Sequence, residues 1–372
     1  MTDQTINTTA APAKDRKEDL YTATPAQLIW RRFTKHILAV VSLWFLVILA
    51  LCALFADMVA PYAPFEVQRL RTLAPPTGIH LFHEGRFVGP FVYGLSRERD
   101  AETARVLYET DPEAVLPIRL FHQGDDYDFF GLFQSNIHLF GVDDRRQQIN
   151  LLGTDDLGRD IFSRVLYSGR TSLTVGFLVV GVASLIGIFL GLIAGFFRRA
   201  DGPVSRLIDA MMAFPDILLA IALVAALGPS AANVVLALGI VYAPRLARVV
   251  RASTLVIREL PYVEAARALA VPTPVILVRH VLRNVTSPLL VQATFIFAQA
   301  ILAEAGLSFL GVGISPDIPT WGTMISIGRQ FMSTAEWIML FPGLAIVITV
   351  LALQLLGDGL RDLLDPRLAK DI

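Results

Sequence analysis

Two short runs of this chain combine charge, small residues and tight spacing. In Gly153-Thr154-Asp155-Asp156-Leu157-Gly158-Arg159-Asp160, three carboxylates and a guanidinium fall within eight residues, with Arg164 and Arg170 close behind. Carboxylates this near to guanidinium groups form charge-assisted hydrogen bonds. Gly153 and Gly158 allow tight backbone between them. The run is either a charge-pinned elbow at a membrane surface or a direct substrate contact. The second run is Tyr262-Val263-Glu264-Ala265-Ala266-Arg267-Ala268-Leu269-Ala270-Val271-Pro272-Thr273. Good helix formers predict a helix from Tyr262 to Ala270, with Pro261 in its first turn and Pro272 and Pro274 beyond its end. The alanines beside Glu264 let another protein approach closely. Without a partner the same segment is an amphipathic connector.

The residues available for bond-making chemistry exclude more than they offer. Of four lysines, Lys14, Lys17, Lys35 and Lys370, none follows a glycine, so the chain has no Walker-A loop and cannot bind ATP by that route. A single cysteine, Cys52, excludes a disulfide framework and a Cys-based zinc site. His80, His83, His122 and His138 cluster in one region, but Phe87 stands where a His-Glu-x-x-His motif needs its second histidine, so no metal is expected. Gly306-Leu307-Ser308-Phe309 contains a Gly-x-Ser string of the kind intramembrane proteases use. A serine nucleophile needs a base. The one candidate, His280, falls on the opposite side of the membrane. No catalytic residue is expected. The net charge of −1 provides no basic field for nucleic acid.

The elements that carry these runs belong in a bilayer. Over the 372 residues, 54% are hydrophobic and 17% charged, with a mean hydropathy of +0.56. Stretches free of Asp, Glu, Lys and Arg run over 37–56, 171–197, 217–244, 284–303 and 337–357, each long enough to cross a hydrocarbon core. Gly228-Pro229-Ser230 interrupts the third. Arginine placement decides between a kinked span and a hairpin. Arg198, Arg199 and Arg206 precede the stretch, and Arg245, Arg248, Arg251, Arg258, Arg267, Arg279 and Arg283 follow it. A hairpin keeps both clusters on one side, as the positive-inside rule asks. Six spans follow, with both termini cytoplasmic. No ionisable residue falls near the middle of any of these stretches, which disfavours direct ion coupling. Gly187, Gly191 and Gly195 form a small-residue stripe for close helix packing.

The expected fold is an all-α polytopic membrane protein with six transmembrane helices and a small β-rich extracytoplasmic insertion. Residues 1–36 read as a polar cytoplasmic tail, and 37–60 as an uncleaved first transmembrane helix. Residues 61–170 read as the insertion, 171–360 as a five-helix core with a cytoplasmic loop at about 251–283, and 361–372 as a cytoplasmic tail. Within the insertion, runs at 78–82, 86–94, 117–121 and 137–141 read as short strands, with Glu102 to Tyr108 as one or two helical turns. The insertion is a structural cap or a docking surface for a substrate-delivering protein.

Here the runs meet a family resemblance. Glu264-Ala265-Ala266, followed by Ile276-Leu277-Val278-Arg279-His280-Val281-Leu282-Arg283-Asn284, resembles the EAA loop of bacterial ABC importer permeases. Ala270 stands where that family carries a glycine, a mild change within a helix. Arg283 replaces the proline before the final asparagine, which lengthens the following helix. Gly153 to Arg164 is similar to the GTDxxGRD signature of the dipeptide and oligopeptide permeases. Leu307-Ser308-Phe309-Leu310-Gly311, Pro319-Thr320-Trp321-Gly322 and Gly357-Asp358-Gly359-Leu360-Arg361-Asp362 also resemble that family's segments, in family order. The likeness is to the C-type partner of the paired permeases.

The resemblance implies the ABC importer permease fold and half of a translocation path for di- or oligopeptides, with an oligosaccharide, opine or other solute as the alternative. It implies docking of the ATPase on Glu264, Ala265, Ala266 and Ala270, and a signature at the outer elbow formed by Gly153, Asp155, Gly158, Arg159 and Asp160. The implied partners are a second homologous permease, one or two ABC ATPase subunits that carry the ATP, an extracytoplasmic solute-binding protein and the lipid bilayer. This chain itself binds no cofactor. The implied location is the bacterial inner membrane.

Overall fold

The computed structural model describes residues 33–99, 106–129, 133–143 and 148–364. The expected tails at 1–36 and 361–372 lie outside these residues except for 33–36 and 361–364. The first span, α1 (Ile37–Leu54), ends at Phe55 and is followed by the single turn α2 (Ala56–Val59). α1 is apolar on every side and mostly exposed, as a helix solvated by lipid should be. The strands follow, and then α3 (Ile161–Phe196), α4 (Arg198–Met212), α5 (Asp216–Leu227) and α6 (Ala231–Ile257). Next come α7 (Pro261–Ala268) and α8 (Thr273–Ile276). A π segment (Leu277–Leu282) joins α8 to α9 (Arg283–Phe309), so helix is continuous from Thr273 to Phe309. α10 (Trp321–Gly328) and α11 (Trp337–Leu364) complete the order. Among the described residues five helices are long and apolar enough to cross a bilayer. α4 and α5, bent by 92°, make at most a sixth span.

The charge-free stretch does turn back on itself. Gly228 takes φ +91° after α5, and Ser230 caps α6 by accepting from the Asn233 N–H at 3.1 Å. The Asn233 amide donates to the carbonyls of Leu227 and Gly228, at 2.8 and 3.0 Å, and so satisfies the end of α5. α3 begins at Ile161, ten residues before the charge-free stretch. Its first turns carry Arg164 and Arg170, which have protein partners and need no lipid. α6 is the most enclosed helix. The glycine stripe of α3 faces it: a Cβ at Gly191 would stand 2.6 Å from Val250 Cβ and 2.7 Å from the Ala247 carbonyl. Val175, Val179, Leu238, Leu246, Ile296 and Leu307 are among the side chains buried where α3, α5, α6 and α9 meet. Phe33, just before α1, and Ala39, in its first turn, form a buried cluster with Leu363 near the end of α11.

The insertion forms two antiparallel sheets. β1 (His80–His83), β2 (Arg86–Arg99) and β3 (Val106–Pro117) make one; β4 (Arg119–Phe129) and β5 (Phe133–Gly141) make the other. The expected helical turn over Glu102 to Tyr108 is corrected. Val106, Leu107 and Tyr108 open β3 and pair with Arg99, Glu98 and Arg97, as β-branched and aromatic residues favour. Residues 102–105 lie outside the described residues. Arg170 ties the first span to the second. Its guanidinium donates to the Ala53 and Leu54 carbonyls at the end of α1, both at 2.9 Å, and to Asp57 at 2.7 Å.

Candidate functional site

The elbow is built around Asp155. Its Oδ1 accepts from the N–H groups of Leu157 and Arg159, at 2.9 and 2.8 Å. Its Oδ2 accepts from Arg159 Nε at 2.6 Å and Arg164 Nη1 at 3.1 Å. Two backbone donors and two guanidinium groups satisfy a side chain that is only 2% exposed, the condition for tolerating a buried carboxylate. Asp160 caps α3, accepting from the Ser163 N–H and hydroxyl, both at 2.8 Å, while the Asn150 amide donates to its other oxygen at 3.1 Å. Burial pushes the Asp160 carboxyl up from 3.8 to about 6. Gly158 takes φ +79°, and a Cβ there would collide with the Gln68 carbonyl.

Distant elements close on the elbow. Thr154 exchanges hydrogen bonds with Ala74, and the Leu73 N–H donates to the Asp155 carbonyl at 2.9 Å. The indole of Trp337, at the start of α11, donates to the Thr154 carbonyl at 3.0 Å. That of Trp321, at the start of α10, donates to Val165 at 3.0 Å. Gly153, Asp155, Gly158, Arg159 and Asp160 are thus brought together. Each donor and acceptor described above is used inside the chain, so the arrangement acts as a junction between α3, α10, α11 and the segment after α2.

The second candidate lies at the other end of the bundle. α7 starts with Pro261 at its first turn. Val263 and Ala266 are buried against Val250, Ile257, Ile276, Val281 and Val285. This inner face fixes the helix on α6 and the base of α9. Arg267 stacks over the Phe196 ring at 4.6 Å and holds α7 to the end of α3, while Arg258, at the end of α6, donates to the Gly195 carbonyl at 2.7 Å and ties α6 to the same place. On the outer face, Glu264, Ala265, Ala268 and Leu269 are exposed, Leu269 by 80%. Among the described residues the Glu264 side chain has no hydrogen-bond or ion-pair partner. A helix pinned on one side and bare on the other offers a stationary surface to a partner.

Three sequence expectations change here. The helix stops at Ala268, and Ala270 sits beyond it at φ +56°. The Ala270 N–H donates to the Arg267 carbonyl at 2.9 Å and the Val271 N–H to the Ala266 carbonyl at 3.0 Å. That is a Schellman turn, whose left-handed position suits glycine. Alanine there is strained rather than mild, because the chain must turn before Pro272. Leu269 was not singled out from the sequence; an isolated large apolar residue between alanines was its only signal. Third, α6 continues past Pro244, so Arg245 stands fifteenth of its 27 residues, at a depth where no ionisable group was expected. Ser308 donates to Glu304 at 2.9 Å. It lies 28 residues from His280 on one continuous helix, about 42 Å away, and the protease geometry fails.

Comparison with known proteins is consistent over nearly the whole chain. The family described as "Binding-protein-dependent transport system inner membrane component" matches residues 183–370, and "N-terminal TM domain of oligopeptide transport permease C" matches residues 24–76. A di/tripeptide transport system permease protein of Pseudomonas aeruginosa is 36% identical over 96% of this chain and 97% of its own length. The dipeptide transport system permease protein of Escherichia coli is 38% identical over 93% of this chain and 94% of its own. A putative peptide transport system permease protein of Brucella suis is 52% identical over 59% of this chain and 74% of its own.

Proposed function

The chain belongs to the family of binding-protein-dependent transport system inner membrane components, and from that premise we propose that its solute is a di- or oligopeptide, delivered by an extracytoplasmic binding protein. The chain is a transmembrane permease subunit of an ABC importer. Peptide permeases among its near-full-length relatives support the solute class.

The observation that carries the mechanism is the pinned helix α7 with its bare face. An ATPase subunit docks on Glu264, Ala265, Leu269 and the strained turn at Ala270; Ala266, expected on this surface from the sequence, is buried instead on the inner face of α7. ATP is bound by that subunit and not by this chain. When the ATPases close, α7 moves with α6 and the base of α9, to which Val263 and Ala266 hold it. The bundle thus alternates between inward and outward states. A second, homologous permease supplies the other half of the path. The elbow around Asp155 keeps the outer ends of α3, α10 and α11 in fixed relation during that movement. The cluster of Phe33, Ala39 and Leu363 puts the first and last spans' ends on one face. Together with the arginine placement, this supports both termini lying in the cytoplasm of a bacterial inner membrane.

The test is ATP-dependent uptake of a labelled dipeptide into proteoliposomes holding the complete complex and its binding protein. Uptake is expected with the unaltered chain. Glu264→Lys should abolish ATPase association while leaving membrane insertion intact. Normal assembly of that variant would refute the docking surface.

A further inference from the structure

Arg245 on α6 donates through its two terminal nitrogens to Asp216, at the first residue of α5, and to the side-chain carbonyl of Gln299 on α9. The Tyr242 ring lies 5.6 Å from the guanidinium, and its hydroxyl donates to the Gln299 backbone carbonyl at 3.4 Å. Three helices therefore converge on one acid, one base and one amide.

Helix rise fixes the depth. Asp216 is eleven residues from the end of α5 beside the Gly228 turn, about 17 Å away, and Arg245 is about 21 Å from the start of α6. Gln299 is about 15 Å from the end of α9 at Phe309. Each of these distances is shorter than the thickness of a hydrocarbon core, about 30 Å. Toward the Gly228 turn every residue from Ile217 to Pro244 is without charge, while on the other side the pairs Arg248–Asp209 and Arg251–Asp201 follow on the next turns of α6, so the Arg245–Asp216 pair is the end of a row of ion pairs that borders the apolar hairpin. Yet it is not sealed: the side chains of Arg245 and Asp216 remain 30% and 33% exposed. Charges at this depth face a water-filled pathway or other protein, because lipid cannot solvate them. The ion pair is also incomplete as a closed unit. A guanidinium has five N–H donors; two are engaged here, and the Gln299 amide nitrogen donates to no described group.

We propose that Asp216, Arg245 and Gln299 form a polar station on the translocation path, which receives the charged ends of a zwitterionic, amide-containing solute. This rests on the importer reading and adds where the solute is handled. A solute carboxylate takes the guanidinium, a solute ammonium takes Asp216, and a peptide amide takes Gln299. The exchange replaces one ion pair by two of the same kind, so no step leaves a lone charge in the membrane. Entry and departure both stay possible because the two protein charges re-pair once the solute moves on.

Two experiments on the full complex in proteoliposomes test this. In a Cys52→Ala background, Gln299→Cys should react with a membrane-impermeant cationic thiosulfonate in at least one nucleotide state, and added Ala-Ala should slow the reaction. Val41→Cys, on the lipid face of α1, should stay unlabelled. Failure of Gln299→Cys to react in every state would overturn the station, whatever the solute. In the second experiment, Arg245→Gln should lower kcat/KM for Ala-Ala uptake about tenfold or more, and lower it less for the C-terminal amide of Ala-Ala. ATPase association should be retained. The swapped pair Asp216→Arg with Arg245→Asp keeps an ion pair and reverses its polarity; it should not restore Ala-Ala uptake. Full restoration by the swap would mean the pair is only a structural strut, and would overturn the proposal. Absence of ATP-dependent uptake by the unaltered complex would instead count against the importer's solute class, while the labelling result still decides the station.

Discussion

Ala270→Gly should stabilise the turn that follows α7. Ala270 adopts φ +56°, and an L-residue held in the left-handed region is less stable by about 1–2 kcal/mol. Glycine removes that strain but adds freedom to the opened state, which returns about 0.4–1 kcal/mol. The net gain is about 1 kcal/mol, or roughly a fivefold smaller population of the locally opened turn. The two Schellman amides report it directly, since Ala270 N–H and Val271 N–H close the turn onto Arg267 and Ala266. Hydrogen exchange on the solubilised complex, read on a fragment spanning 266–274, should show those amides about fivefold slower in the glycine variant. Ala270→Val, a branched side chain in the same backbone region, should make them faster. Unchanged or faster exchange in Ala270→Gly would refute the reasoning, because the turn would then carry no left-handed strain.

Further outcomes concern the packing, the elbow and the docking face. Gly191→Val should separate α3 from α6 and lower thermal stability by about 1–3 kcal/mol in detergent, whereas Gly181→Ala, where a Cβ meets nothing within 4 Å, should leave it unchanged or raised. Burial raises the Asp160 pKa from 3.8 to about 6, so its contribution to stability is fully present below pH 3.8 and is lost as pH rises through 6, about 3 kcal/mol in all. Asp160→Asn keeps the helix cap and should flatten the stability profile between pH 4 and 7; an identical slope in both proteins would contradict the assignment. Leu269→Asp alters a side chain that is 80% exposed and should leave the melting temperature unchanged while weakening ATPase association.

Much of this was legible in the sequence because local rules produced it. The proline pair around α7, the Gly228 turn and the glycine stripe each act over a few residues or one helical repeat. The arginine distribution selected the hairpin because a single span would have split the two arginine clusters between opposite faces, against the cytoplasmic bias of basic residues. What escaped did so for stated physical reasons. Counting spans as charge-free stretches placed Arg245 outside a helix that in fact continues through Pro244, and started α3 at Thr171 although Arg164 and Arg170 find partners in protein. The elbow's composition was visible, but its closure was not: Thr154 meets Ala74 and Trp337 across 80 and 183 residues, and no local pattern encodes such pairings. Ala270 was read by helix propensity, whereas the left-handed turn before Pro272 governs it.

The central claim is that this chain works as one half of the membrane path of an ATP-driven importer, with α7 as the attachment point for the ATPase. It is tested most directly by affinity purification of the chain from gently solubilised native membranes, with mass spectrometry of everything that accompanies it, run beside Glu264→Lys. The account predicts recovery of a second six-span permease together with a Walker-A protein, and selective loss of the Walker-A protein from the variant. Recovery of the folded chain alone, reproducibly, or equal recovery of the ATPase with both forms, would contradict it.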